Sequence, residues 1–359
     1  MKTLCFYSGY TGDPFNGINY QNKNIYGSEK NLIHLCKYLS KYYKIYILVW
    51  NLKINNEEII HDDIFYIDCT NYETIPSIDI LIINRYLNFF MHFINKAKKT
   101  FIWIQDLIGH TGYQGIQFDK QGKNFLINID PIIDKYIVLS DFHQDYFSTF
   151  YENKIPKNKI EIIGNGILKT KSIDFNYINK KRIKKRFMFC SEPVRGLIFF
   201  LDFIEALQKE DPEISVCIFR SNNYNQLILE KIKKIKNITV YNTSNQSVLF
   251  DEFLKSEFLL YTCNFLETFC NIALEAQYHG CICIYNAYGA LKETIHDRGF
   301  ILEGHPTNND FIEKNILKVQ TFINDEQEKN RLRLDAYNYS NQHYYQHISE
   351  KWKDLIENL

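Results

Sequence analysis

The 359-residue chain has no surplus of either charge, with 42 Lys and Arg against 42 Asp and Glu. A protein that grips nucleic acid needs an excess of cations to displace condensed counterions, so a nucleic-acid partner is not expected. Long apolar runs are missing too. No stretch reaches the length of a membrane span, and the opening residues carry one lysine and a short apolar run that stops at Ser8-Gly9. A soluble, cytoplasmic protein without a signal peptide is expected. Nine cysteines are scattered with no Cys-x-x-Cys pair, which argues for reduced buried thiols rather than a disulfide framework or a zinc site. Cys281 and Cys283 would share one strand face, a poor geometry for a tetrahedral ion. No Asp-x-Asp motif lies in a plausible loop, since Asp62-Asp63 and Asp141 with Asp145 read as surface acids or a helix face. No metal and no cofactor is expected. Repeats and low-complexity tracts are also absent.

What is present is apolar residue in quantity, 45% of the chain, enough for a real core. A single core stops growing efficiently beyond about 250–300 residues, so two domains are expected. Short apolar runs alternate with amphipathic stretches, the pattern of a parallel sheet covered on both faces. Strands are predicted over 4–7, 45–50, 80–83, 100–104, 135–139 and 159–163, with helices over 28–39, 89–98 and 142–151. From 169 to 186 the pattern lapses into a polar, basic segment that reads as a hinge, and Lys180–Arg186 within it as a solvated run. Strands then follow at 187–190, 214–219, 238–241, 258–261, 281–285 and 300–302, alternating with helices at 197–209, 226–234, 246–255, 269–279, 291–297 and 310–323. The fold class is α/β, two doubly wound Rossmann-like domains, 1–170 and 171–336. Residues 337–359 form a helical run, with Tyr344, Tyr345, Ile348, Trp352 and Ile356 on one stripe, that packs on its own domain or crosses back to the first.

The segment Glu267-Thr268-Phe269-Cys270-Asn271-Ile272-Ala273-Leu274-Glu275-Ala276 follows a strand and runs into a helix. Two carboxylates eight residues apart stand about 12 Å apart along a helix axis, too far for a shared-proton dyad. With Glu267 in the loop and Glu275 two turns in, they suit different parts of one extended ligand. The amides of Phe269, Cys270 and Asn271 at the helix start suit anionic oxygens between them.

This segment resembles the Glu-x7-Glu signature of retaining GT-B glycosyltransferases, family 4 in particular. Five further segments, in order, are similar to the family: Tyr26-Gly27-Ser28-Glu29, Trp103-Ile104-Gln105-Asp106, Gly164-Asn165-Gly166-Ile167, Ser191 through Arg195-Gly196-Leu197, and Gly289-Ala290-Leu291-Lys292-Glu293. The resemblance spans nearly the whole chain. It implies two domains facing across a cleft, an N-terminal acceptor side and a C-terminal domain that binds a nucleotide-diphosphate sugar.

It also implies roles. Arg195 carries a planar cationic fork suited to a diphosphate. Glu275 accepts from ribose hydroxyls and Glu267 contacts the transferred sugar, while Asp106 serves the acceptor or sugar from the first domain. Gly27 and Ser28 approach the donor phosphates, Ser28 also capping its helix. Ser191, Thr268, Phe269, Cys270 and Asn271 complete the donor site, with Arg220 standing in for a lysine the family carries after the arginine. Tyr26 replaces the first of two glycines, which restricts access to positive φ. Gln105 stands where many relatives have histidine, and Cys270 where many have glycine.

The implied reaction is metal-independent transfer of a sugar, with retention at the anomeric carbon, to a glycan, lipid or other hydroxyl acceptor. Fixed cations and N–H donors would stabilise the departing diphosphate. Two other readings share the architecture: a nucleotide-sugar 2-epimerase and a non-catalytic nucleotide-sugar or glycan-binding protein. The loops 9–25 and 109–123 are expected to line the acceptor side, and the loops 219–223 and 241–244 to meet the base. Peripheral membrane contact through Phe89, Phe90, Met91, Phe93 and Ile94 competes with their burial in the core.

Overall fold

The computed structural model describes residues 1–9, 13–23, 25–52, 59–108, 120–169, 175–219, 225–241 and 245–359. It divides into two compact units: Met1–Leu168 with Tyr344–Leu359, and Lys169–His343.

The first unit is built on eight strands, β1 (Thr3–Tyr7), β2 (Lys44–Val49), β3 (Ile59–His61), β4 (Ile64–Asp68), β5 (Ile80–Asn84), β6 (Lys99–Trp103), β7 (Lys135–Val138) and β8 (Ile160–Ile162). Their order is β3-β4-β2-β1-β5-β6-β7-β8. Every pairing is parallel except β3 with β4. Residues alternate faces along a strand, so Cys5 and Tyr7 enter one apolar layer with Leu81, Ile83 and Ile102. Phe6, on the opposite face, meets Trp352 of the terminal helix Tyr345–Glu357, and Trp352 packs edge-on to Trp103 with ring centroids 5.1 Å apart.

The second unit holds six parallel strands, β9 (Ile183–Cys190), β10 (Ser215–Phe219), β11 (Ile238–Tyr241), β12 (Ser256–Tyr261), β13 (Ile282–Asn286) and β14 (Phe300–Leu302), in the order β11-β10-β9-β12-β13-β14. Phe187 and Phe189 belong to one apolar layer, Met188 and Cys190 to the other. All nine cysteines are buried free thiols.

Four local expectations are corrected. The antiparallel hairpin β3–β4 was not foreseen: Asp62 and Asp63 both take positive φ (53° and 61°), the mirror-image turn that joins twisted strands, and are more than surface acids. The helix expected over 89–98 stops at His92 because Phe93 turns extended to pack with Tyr7, Tyr72 and Phe89. In this segment Phe89 is buried, Phe90 and Phe93 are half-buried, and Met91 and Ile94 are exposed. The basic run is only partly solvated: Lys180, Lys181 and Lys184 are exposed, but its two arginines are structural. Arg182 donates to the carbonyls of Phe253, Ser256 and His279, and Arg186 pairs with Glu252 at 2.8 Å. The presumed hinge therefore contains a helix, Phe175–Lys181, and the start of β9. Finally, the helical run over 337–359 is two helices: Glu326–Ser340 ends in the second unit, and Tyr345–Glu357 belongs to the first.

No helix among the described residues is long and apolar enough to cross a membrane.

Candidate active site

In an open parallel sheet, ligands bind outside the carboxyl ends of the strands, where the strand order reverses direction. In the second unit that point lies between β9 and β12, and two segments singled out in the sequence leave the sheet there. After β9 comes Ser191, then a single 3₁₀ turn, Pro193–Arg195, then Gly196 and the helix Leu197–Glu210. Gly196 has φ +123°, and a Cβ there would lie 2.1 Å from the Thr262 carbonyl oxygen just beyond β12. Only glycine lets the two strand ends approach so closely, and the approach brings Arg195 to Glu267.

The Arg195 Nη1 donates to both Glu267 carboxylate oxygens, at 2.8 and 3.1 Å. Tyr261, buried at the end of β12, donates its hydroxyl to Glu267 Oε1 at 2.7 Å and meets Ser191 Oγ at 3.2 Å. The guanidinium lies 4.3 Å from the centroid of the Phe265 ring, a cation–π contact. Burial by itself would lower the pKa of Arg195, but the Glu267 carboxylate outweighs it and holds the guanidinium firmly charged. Burial and the same carboxylate push the Tyr261 phenol well up, so it remains a donor.

Glu267 is fixed through its backbone as well. Its carbonyl accepts the Ala290 N–H at 2.8 Å, and a Cβ on Gly289 (φ +62°) would stand 2.6 Å from that carbonyl oxygen. The Gly-x-x-x-Glu turn thus holds the first glutamate of the pair in place. The helix begins at Asn271 rather than Phe269, with Cys270 as N-cap in a left-handed conformation, φ +73°. A glycine would adopt that φ without strain. Thr268, Phe269 and Cys270 are buried, the Phe269 carbonyl accepting from Thr294 Oγ1. Glu275 is half-buried in the second turn of this helix. Arg220 and most of the loops 219–223 and 241–244 lie outside the described residues.

In the first unit the strand order reverses between β1 and β5. Sequence reasoning missed the residue that stands there, Arg85, directly after β5. It is a non-glycine residue with φ +69°, a conformation worth attention because side chains rarely tolerate it. Its Nε donates to Asp106 Oδ2 at 2.7 Å, its Nη1 to Ser28 Oγ at 2.9 Å, and the same nitrogen stands 3.7 Å from Glu29 Oε1. An arginine ending an otherwise apolar run at a strand terminus was the available signal. Ser28 is therefore an acceptor for Arg85 and not the cap of its helix. The helix Gly27–Leu39 starts one residue earlier, and Glu29 Oε2 accepts the Tyr26 N–H at 2.9 Å. Tyr26 is extended, φ −89°, so it loses nothing by not being glycine.

Gln105 closes a buried amide network. Its Nε2 donates to Asn84 Oδ1 at 2.8 Å, and its Oε1 accepts from Asn31 at 3.2 Å and Asn165 at 3.4 Å. Tyr345 of the terminal helix donates to Asn31 Oδ1 at 2.5 Å, and a Cβ on Gly166 would stand 2.7 Å from the Tyr345 ring. Asn165 and Gly166 of the third matching segment thus secure the terminal helix to this network. The described parts of loops 9–25 and 109–123 are residues 9, 13–23, 25 and 120–123.

Two Rossmann-like α/β units, with sheets of eight and six strands, match the GT-B fold of glycosyltransferase structures over the full length of the chain. The Anabaena protein HepE, solved in complex with UDP and glucose, covers 100% of both chains at a TM-score of 0.69 and 13% identity. Sucrose-phosphate synthase from Thermosynechococcus elongatus covers 100% of this chain and 99% of its own at 0.74 and 11%, and a glycosyltransferase from Rickettsia africae 99% and 98% at 0.70 and 14%. At such identities the likeness is one of fold. No protein-family model and no curated protein sequence matches the chain.

Proposed function

We propose that the chain is a retaining glycosyltransferase that moves a sugar from a nucleotide-diphosphate sugar to a hydroxyl acceptor without a metal at the reacting centre. The observation that carries this is the Arg195–Glu267 pair, set at the β9/β12 reversal and backed by Tyr261. Of the five guanidinium donors, those on Nη1 hold Glu267, which leaves Nε and Nη2 to face a diphosphate. As the bond from the anomeric carbon to the phosphate oxygen breaks, negative charge grows on the diphosphate, and a cation already fixed in place stabilises it without reorganising. The start of the helix Asn271–Tyr278 adds its dipole to the same end.

The new bond from the acceptor oxygen forms on the same face, and the acceptor proton passes to the departing phosphate oxygen. Glu267 orients the sugar hydroxyls and Glu275 the ribose, with Ser191, Thr268, Phe269, Cys270, Asn271 and Arg220 around the nucleotide. Gly27 is assigned to the donor phosphates and Asp106 to the acceptor, while Ser28 holds Arg85. HepE, which shares the fold, was solved with UDP-glucose, so UDP-sugars are the first probes.

A panel of nucleotide sugars, read by thermal stabilisation and by release of the nucleoside diphosphate, tests the reading. At least one donor should stabilise the protein and be turned over, and Arg195→Ala should lower turnover at least 100-fold. Glu275→Ala should chiefly raise KM for the donor. Tight binding with no turnover would make the chain a binding protein, exchange of the sugar C2 proton would make it an epimerase, and indifference to every donor would end the proposal.

A further inference from the structure

The first unit presents its reversal point very differently from a phosphate site. Arg85 is its cation, and two acids face it, whereas the ion pair of Arg195 is with one, Glu267. Asp106 holds its Nε, Glu29 faces its Nη1, and Ser28 takes a bond from that same nitrogen. Glu29 is fully buried, with its Oε1 turned toward Arg85. Asp106 and Arg85 keep part of their side-chain surface exposed, 28% and 17%. Residues 8–26 and 104–119, which follow β1 and β6 in the sequence, contain one further cation, Lys23, and two further acids, Asp13 and Asp119. After β5 the next two cations, Lys96 and Lys98, are taken up by Glu73 and Asp79.

An arriving phosphate would therefore share one guanidinium with two carboxylates, Asp106 and Glu29, where at Arg195 it shares the cation with one. A hydroxyl pair faces no such conflict. It can donate to the carboxylate and accept from the guanidinium at once, since the carboxylate is acceptor-only and the guanidinium donor-only. The Tyr86 ring, 5.0 Å from the guanidinium, adds an apolar plane of the kind a sugar's C–H face packs against. Gly9, at φ +71°, makes room for that ring, which a Cβ would meet at 2.2 Å.

We propose that Arg85 and Asp106 form a hydroxyl-reading subsite of the first unit that selects an uncharged sugar or glycoside and disfavours its phosphorylated counterpart. The proposal rests on the glycosyl-transfer reading, which it deepens by naming the acceptor class. Arg85 acts as a specificity-determining residue, held by Ser28 and Glu29 so that its outer edge and Asp106 present a donor and an acceptor side by side.

Ligand-observed NMR with the full chain tests this without needing turnover. The probes are the methyl glycosides of glucose, galactose and mannose and their 6-phosphates. The wild-type protein should bind at least one neutral glycoside tenfold or more tightly than its 6-phosphate. Asp106→Asn, nearly isosteric, leaves Arg85 without its exposed counter-charge and should move that ratio at least tenfold toward the phosphate. Arg85→Lys keeps the charge but loses the planar fork, and should weaken the neutral glycoside about fivefold. A wild-type preference for the 6-phosphates, an unchanged ratio in Asp106→Asn, or failure of every neutral glycoside to bind would each overturn the proposal. UDP-glucose binding on the same samples reports on the donor reading separately: its loss would count against Arg195 and Glu267 while the acceptor comparison still stands or falls by itself.

Discussion

The two units solve one geometric problem, a cation placed where a sheet reverses its strand order, with opposite distributions of strain. In the second unit the unusual backbone falls on Gly196, Gly289 and the helix cap Cys270, and Arg195 sits in an ordinary 3₁₀ turn beside them. In the first unit the left-handed residues at the reversal are Gly9 and the arginine itself. A glycine takes positive φ at no steric cost, whereas Arg85 is held there by the partners at the end of its side chain. The comparison teaches that the second cluster is braced from the backbone outward and the first from the side chains inward.

The largest test of that contrast is a pair of alanines. Gly196→Ala places a Cβ against a carbonyl oxygen that the chain cannot move, and should cost about 4 kcal/mol. Gly9→Ala meets the Tyr86 side chain, whose ring can rotate away although its Cβ, at 2.7 Å, cannot without a backbone shift, and should cost about 2 kcal/mol. Urea denaturation of both variants checks the order; equal losses would mean that the two loops are braced alike.

Acid sharpens the difference, because among the described residues the first unit buries two histidines, His34 and His143, and the second one, His279. Burial lowers all three to about 4 from the ordinary 6.5. The unfolded chain therefore takes up these protons first as the pH falls. Their contribution is complete above pH 6.5 and drains away between 6.5 and 4. Each costs about 1.4 kcal/mol per pH unit in that window, so the slope of the first unit should be roughly twice that of the second. Trp50, Trp103 and Trp352 all belong to the first unit, so tryptophan fluorescence follows it alone. Amide exchange along β12 follows the other.

Smaller effects separate the braces themselves. Tyr261→Phe removes one buried hydrogen bond to Glu267 and should cost about 1 kcal/mol, with a matching loss of affinity for whichever donor binds. Stability loss without any change in donor affinity would detach Tyr261 from the site. Burial raises the Glu29 carboxyl against the pull of Arg85. Glu29 therefore favours the fold fully only below its ordinary 4.5, and that contribution is lost as the pH rises through the raised value. Glu29→Gln should make the first unit slightly more stable at pH 8, by under about 1 kcal/mol, with no gain at pH 4.5.

Much of this was legible in the sequence because it is local. The strands of both sheets other than β3 and β4 carry apolar runs that announce themselves, and Arg195 and Glu267, which meet, sit in segments whose order along the chain is informative. What stayed hidden depends on partners far apart. Gln105 reads as a departure from histidine until Asn31, Asn84, Asn165 and Tyr345 are seen around it, the last of these 314 residues from Asn31. Arg85 resembles any polar residue closing a strand. The hairpin at Asp62-Asp63 lacks the Asn-Gly or Asp-Gly pair that usually marks its turn, and Arg182 and Arg186 belong to a run whose composition suggests water rather than carbonyls and Glu252.

The helix Tyr345–Glu357 has a bearing on how the molecule is made. It supplies Trp352 to the layer beside Phe6 and Trp103, and Tyr345 to the amides behind Gln105. Emerging from the ribosome, the first 168 residues lack these groups until the whole second unit has been synthesised. The half of the protein that is translated first is therefore the half that finishes folding last, and in that interval its apolar surface is open to chaperones.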